Sequence, residues 1–235
     1  DEKGQKMSKS KGNIIDPLEL TNKYGADALR FTLSSLASPG RDIKLNTQQV
    51  ESSRNFATKI WNASRYILLN DCKVDSSFDP KKINNVVNKW IVHSIIVLKD
   101  NITDEIEKYK FNEASSNLYQ FIWGTFCDWY LEFTKPILQG NDQKIIEETK
   151  CTIIWTLDNI LILLYPFMPF LSRELRSQIH DKEIEYKLLY PPTIILSLVK
   201  NGSVLLNPYI YVSFSNIFLF IDVTVLILLF SPIIL

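Results

Sequence analysis

The sequence predicts a mainly α fold, an antiparallel helical bundle entered through a loop-rich segment. Three observations carry this expectation. An apolar period of helical spacing runs almost unbroken from Asn46 to about Ile179. The connections between periodic runs are short and polar. Proline, glycine or a capping side chain stands at most places where a run begins or stops. Two shifts of composition divide the 235 residues into 1–45, 46–180 and 181–235.

Within the first part, Asp16-Pro17 is a helix start, with aspartate as cap and proline where its missing N–H is harmless. Gly25 punctuates that helix. A second follows from Ala26 to Ala37, with Ala28, Leu29, Leu33 and Leu36 at helical spacing, and Ser38-Pro39-Gly40 stops it. In the middle part a helix is expected from Thr47 to about Leu69, with Val50, Ala57, Ile60, Trp61, Ile67 and Leu68 toward one side. The next spans about Ile83 to Tyr109. A third runs from Phe111 to Lys135 on Phe111, Ala114, Leu118, Phe121, Ile122 and Trp129, with Pro136 closing it. A fourth, about Gln143 to Tyr165, ends before Pro166, and a short helix covers about Phe170 to Ile179.

Composition excludes more than it assigns. Lys plus Arg and Asp plus Glu are 26 each, so an RNA partner would have to be met by local clustering rather than net charge. Cys72, Cys127 and Cys151 are far apart, odd in number and without a CxxC pair, which suggests neither a disulfide framework nor a zinc site and favours a reducing, cytoplasmic setting. No metal site is expected. The five tryptophans read as packing residues, and His93, inside an apolar helix, as a core histidine.

The chemistry-bearing run is Lys6-Met7-Ser8-Lys9-Ser10, extended by Lys11-Gly12-Asn13. Two ammonium groups three residues apart, with small hydroxyl residues and a glycine, suit a loop that closes over a polyphosphate. Lysine, a compact point charge, matches the charge that develops on departing pyrophosphate. A second polar set, Arg54, Thr58, Asn62 and Arg65, falls along one helical stripe that could follow RNA.

The run resembles the KMSKS signature of class I aminoacyl-tRNA synthetases. It is followed by Tyr24-Gly25-Ala26-Asp27-Ala28-Leu29-Arg30-Phe31, Ser38-Pro39-Gly40-Arg41-Asp42-Ile43-Lys44, Arg54-Asn55-Phe56-Ala57 and Lys59-Ile60-Trp61-Asn62-Ala63-Ser64-Arg65. Further on come Lys110-Phe111-Asn112-Glu113-Ala114, Cys127-Asp128-Trp129-Tyr130-Leu131-Glu132 and Tyr165-Pro166-Phe167-Met168-Pro169-Phe170. That order is similar to the valine–tRNA ligase family over about residues 4 to 176.

The resemblance implies the end of a catalytic domain in 1–45 and a class Ia anticodon-binding bundle in 46–180. It implies ATP-dependent ligation of valine to its tRNA through valyl-adenylate. Lys9 would be the catalytic residue; Lys6, Met7, Ser8, Lys9 and Ser10 would attend ATP, with Met7 packed beneath the loop; Arg54, Thr58, Asn62 and Arg65 would contact tRNA. The implied partners are valine tRNA, with ATP, its Mg2+ and valine in a full-length parent, and an upstream synthetase fragment as complement.

The family's His-x-Gly-His motif is missing from the 235 residues. The chain is therefore expected to be a fragment that is inactive alone and binds no cofactor; a non-catalytic anticodon-binding module is the rival reading. Beyond Lys200 the only charged residue is Asp222. The segment Tyr209–Leu235 is long enough to span a membrane, but an acid near the centre of a span costs roughly 2.5–3.5 kcal/mol. Residues 181–235 are thus expected to be an aberrant apolar tail, such as a frameshift produces, rather than the anchor of a tail-anchored membrane protein.

Overall fold

The computed structural model describes residues 4–38 and 40–180. The expected aberrant tail and the membrane alternative, at 181–235, lie outside the described residues. Among the described residues the fold is helical, with no strand, and no helix is long and apolar enough to cross a membrane.

Local chemistry fixes the helix starts. Asp16 accepts the Leu18 amide at 2.8 Å and opens α1, Pro17–Tyr24. Gly25, at φ +92°, turns the chain into α2, Ala26–Leu36, a conformation that side-chain-bearing residues rarely adopt. Asn46 and Gln49 form a reciprocal capping box at the start of α3, Thr47–Leu69: Asn46 accepts the Gln48 amide at 2.7 Å, and Gln49 accepts the Asn46 amide at 3.0 Å. The next helix, α4, covers Val86–Glu107 rather than starting near Ile83. Pro80–Lys82 forms a separate short 3-10 turn under Asp79, and Asn85 caps α4 by accepting the Val87 amide at 2.8 Å.

The expected single helix from Phe111 is composite. It comprises α5, Phe111–Gln120, a π-helical stretch, Phe121–Tyr130, and α6, Leu131–Leu138. In the π stretch each residue advances the chain through less rotation than in an α-helix, as shown by the Leu131 amide bonding five residues back to Phe126. The inward face therefore drifts. Phe126, Cys127 and Tyr130 are buried, while Trp129, expected in the core, is 59% exposed. Pro136 does not close the helix. It forfeits only its own N–H near the end, and Gln139 still donates to the Lys135 carbonyl at 3.2 Å. The last two helices are α7, Gln143–Leu164, and α8, Pro169–His180.

Packing joins α2 to α3 and α5, α4 to α5 and α7, and α7 to α8. Phe56 is the hub of the first group, 5.0 Å from the Phe31 ring and 4.8 Å from that of Tyr119. The inward stripe of α3 is Val50, Ser53, Phe56, Ile60, Ser64 and Ile67. Ala57, Trp61 and Leu68, expected inside, are only half-buried. Serine fits this face because its hydroxyl is satisfied locally, Ser64 donating to the Ile60 carbonyl at 3.0 Å. His93, expected in the core, is exposed, since the buried stripe of α4 passes through Ile91, Val92 and Ile95 instead.

One polar network crosses the core. Asn88 is fully buried and donates to Glu148 and to Thr149, both at 3.0 Å, while Tyr130 donates to its carbonyl oxygen at 2.9 Å. Glu148 also accepts the amides of Asn84 and Asn85 at 2.9 Å each. One α7 carboxylate thereby receives the entry to α4. Burial works to raise its pKa, but the Asn88 side chain, these amides and the Lys89 charge hold it below the ordinary value.

Candidate nucleotide loop and RNA-facing helix

The lysine-rich run precedes α1 and turns on backbone and side-chain amide bonds. Lys9–Lys11 is a single 3-10 turn, with the Lys11 amide donating to the Ser8 carbonyl at 3.1 Å. Gly12 follows at φ +66° in open space. Asn13 then folds back: its carbonyl oxygen accepts the Ser8 amide at 2.9 Å, and its amide donates to the Lys6 carbonyl at 3.4 Å. Ser8 and Ser10 hydroxyls lie 3.2 Å apart.

Lys6 and Ser10 are exposed. So is Met7, at 40%, instead of packing beneath the loop. Lys44 crosses the other side: a Cβ on Gly4 would meet its Cε at 3.0 Å. Neither the Asn13 clasp nor the approach of Lys44 is signalled by motif spacing; the clasp joins residues five and seven apart through a side-chain amide.

The second candidate set stands on α3. Arg54, Thr58, Asn62 and Arg65 are all exposed and share one face by helical spacing. Arg54 donates to the Lys23 carbonyl of α1 at 3.4 Å, and the Thr58 hydroxyl donates to the Arg54 carbonyl at 3.0 Å. The structure therefore aligns the four with one another but leaves them on a different element from the loop. Lys59, not anticipated, adds a cation on α3, 2.6 Å from Asp128 and 4.7 Å over the Trp123 ring.

A third feature ties the loop-bearing segment to the end of the bundle. Asp27 on α2 accepts the Leu171 amide at 2.6 Å and the Phe170 amide at 3.3 Å, capping α8 from 144 and 143 residues away in sequence. Arg30 donates to the Pro166 carbonyl at 3.0 Å. Burial pushes the Asp27 carboxyl above its ordinary range despite those amides and the Arg30 charge. Farther along α8, Arg176 grips Asp158 of α7 through two bonds, 2.6 and 3.1 Å, and His180 lies 3.0 Å from the same carboxylate. Burial works to raise the Asp158 pKa, but hydrogen bonds from His180 and Arg176 and their charges bring it below the ordinary value.

Comparison with known proteins decides the family. The model of the anticodon-binding domain of tRNA ligase matches residues 88–210. The chain belongs to that family. A second model, tRNA synthetases class I (I, L, M and V), matches residues 1–46, the part that carries the lysine loop.

The anticodon-binding family member is 54% identical to a valine–tRNA ligase of Nitrobacter winogradskyi over 175 residues, and 53% identical to that of Bradyrhizobium diazoefficiens over the same length. A third, from Rhodopseudomonas palustris, is 51% identical. The expected kinship with valine–tRNA ligases is borne out. Each alignment covers 74% of this chain but 18% of the relative, so the chain spans about a fifth of the length of these curated relatives. Among solved structures, the LeuRS of Agrobacterium radiobacter K84, in a ternary complex with tRNA and LeuAMS, superposes with a TM-score of 0.61 over 75% of this chain and 21% of that one. At 21% identity this likeness supports the helical fold alone.

Proposed function

We propose that these residues serve the ATP-dependent ligation of valine to its tRNA, supplying the loop that attends the phosphates and the bundle that holds the tRNA anticodon arm. One observation carries the reading: a single folded unit joins a synthetase-type lysine loop to a bundle matched by the anticodon-binding model. Lys6, Met7, Ser8, Lys9 and Ser10 are the ATP-attending set, with Lys9 as the catalytic cation on departing pyrophosphate. Arg54, Thr58, Asn62 and Arg65 are the tRNA-facing set.

Mg2+ arrives with ATP as part of the substrate. Among the described residues no group of three or more His, Cys, Asp or Glu side chains could hold a metal. Valine selection and adenylate formation belong to a larger protein or complex, with 1–45 as the end of its catalytic domain, 46–180 as the anticodon-binding bundle and 181–235 as an apolar tail. The setting is cytoplasmic.

The test pairs valine-dependent ATP–pyrophosphate exchange on the chain with its binding of valine tRNA against leucine tRNA, at about 50 mM salt, where phosphate-driven affinity is strong. Selective binding without exchange supports the proposal. Robust exchange would overturn the assignment of activation to a larger protein, and unselective or absent binding would overturn the role given to the bundle.

A further inference from the structure

We infer that Asn13 is a positioning residue of the lysine loop: its carboxamide holds the turn on which Lys6, Ser8 and Ser10 stand at the spacing that receives a pyrophosphate. The inference rests on the phosphate-attending role proposed above. It is carried by a geometry in which one side chain satisfies two backbone groups on the opposite arm, accepting from the Ser8 amide at 2.9 Å and donating to the Lys6 carbonyl at 3.4 Å. The remaining backbone bond of the turn, Lys11 amide to Ser8 carbonyl, spans only three residues. The Asn13 side chain thus ties the arm bearing Lys6 to the arm that enters α1.

A tie of this kind acts before any ligand arrives. Without it, Lys6 would sample a wide arc, and a phosphate group would have to order the loop as it bound. Ordering backbone residues costs conformational entropy, and a loop already shaped is spared that loss. Gly12 permits the reversal of direction, but it does not hold it; at φ +66° in open space it is only compliant. The carboxamide is also the side chain this place needs. It offers an acceptor and a donor at once, and carries no charge that would repel a polyphosphate.

The experiment uses the full chain, 15N-labelled, with Asn13→Ala, Asn13→Asp and Lys6→Ala variants, and reads two quantities: amide exchange at Ser8 and affinity for inorganic pyrophosphate. Asn13→Ala should speed Ser8 exchange roughly 3- to 10-fold, the equivalent of one net hydrogen bond, and weaken pyrophosphate binding by a similar factor. Asn13→Asp keeps the acceptor, so it should retain Ser8 protection while still weakening pyrophosphate binding through its charge. Unchanged Ser8 exchange in Asn13→Ala would overturn the inference. So would faster exchange with unaltered pyrophosphate affinity, provided Lys6→Ala weakens that affinity. Pyrophosphate binding indifferent to Lys6→Ala would instead sink the phosphate-attending reading, and this inference with it.

Discussion

At the scale of single residues, the most demanding position is Asn88. It is fully buried and serves Glu148, Thr149 and Tyr130 at once, so truncation would strand groups that cannot reach water. Asn88→Ala should cost about 2–3 kcal/mol, measured as a lower urea midpoint with little change in slope; a loss under half that size would show that the pocket relaxes or admits water.

Asp158 gives a pH signature with a definite sign. Its folded pKa lies below the ordinary 3.8, so its contribution is complete above the unfolded value and is lost as pH falls through the folded one. Asp158→Asn should flatten the acid limb of the stability profile below about pH 4, read from urea midpoints across pH. A limb equally steep in the variant would assign acid sensitivity elsewhere. Asp27 has the opposite sign: its pKa is raised, so the folded chain holds that proton more tightly and its contribution declines as pH rises through the window above 3.8.

At the scale of elements, α3 carries the testable claim about RNA. If Arg54 and Arg65 each neutralise a phosphate, replacing either with alanine should weaken tRNA binding across sequences and reduce the slope of log affinity against log salt by about 1. A slope unchanged in both variants would leave the stripe as a solvated helix face.

The helices differ in how far their sequences disclose them. Asp16-Pro17 was legible because a cap acts over two or three residues. The placement of Trp129 was not, since periodicity read at 3.6 residues per turn loses register across the π turns of Phe121–Tyr130. His93 misled for a related reason: α4 has apolar residues on more than one side, so its inward stripe is ambiguous from pattern alone. The lysine loop could be found as a motif, whereas its clasp by Asn13 and the capping of α8 by Asp27 are folded contacts that no local pattern announces.

At the scale of the whole molecule, the described residues form one unit and should unfold together. Burial pushes the thiols of Cys72 and Cys127 up to about 12, which suppresses the reactive thiolate. Cys72 follows α3 and Cys127 lies in the π stretch, so alkylation of the two should rise at the same urea concentration, ahead of which only the half-buried Cys151 reacts. Separate midpoints would mean that the bundle comes apart in pieces.

The bond from Asp27 to Leu171 spans 144 residues, and that span has a consequence in time. On a ribosome adding about 5–20 residues per second, the amides that Asp27 holds are made roughly 7–29 s after Asp27 itself. Through that interval α2 has neither its carboxylate's partners nor the helix they belong to, and the packing of α3, joined later by α5, must keep it in place. The segment that bears the lysine loop is therefore made well before the helix that fastens it.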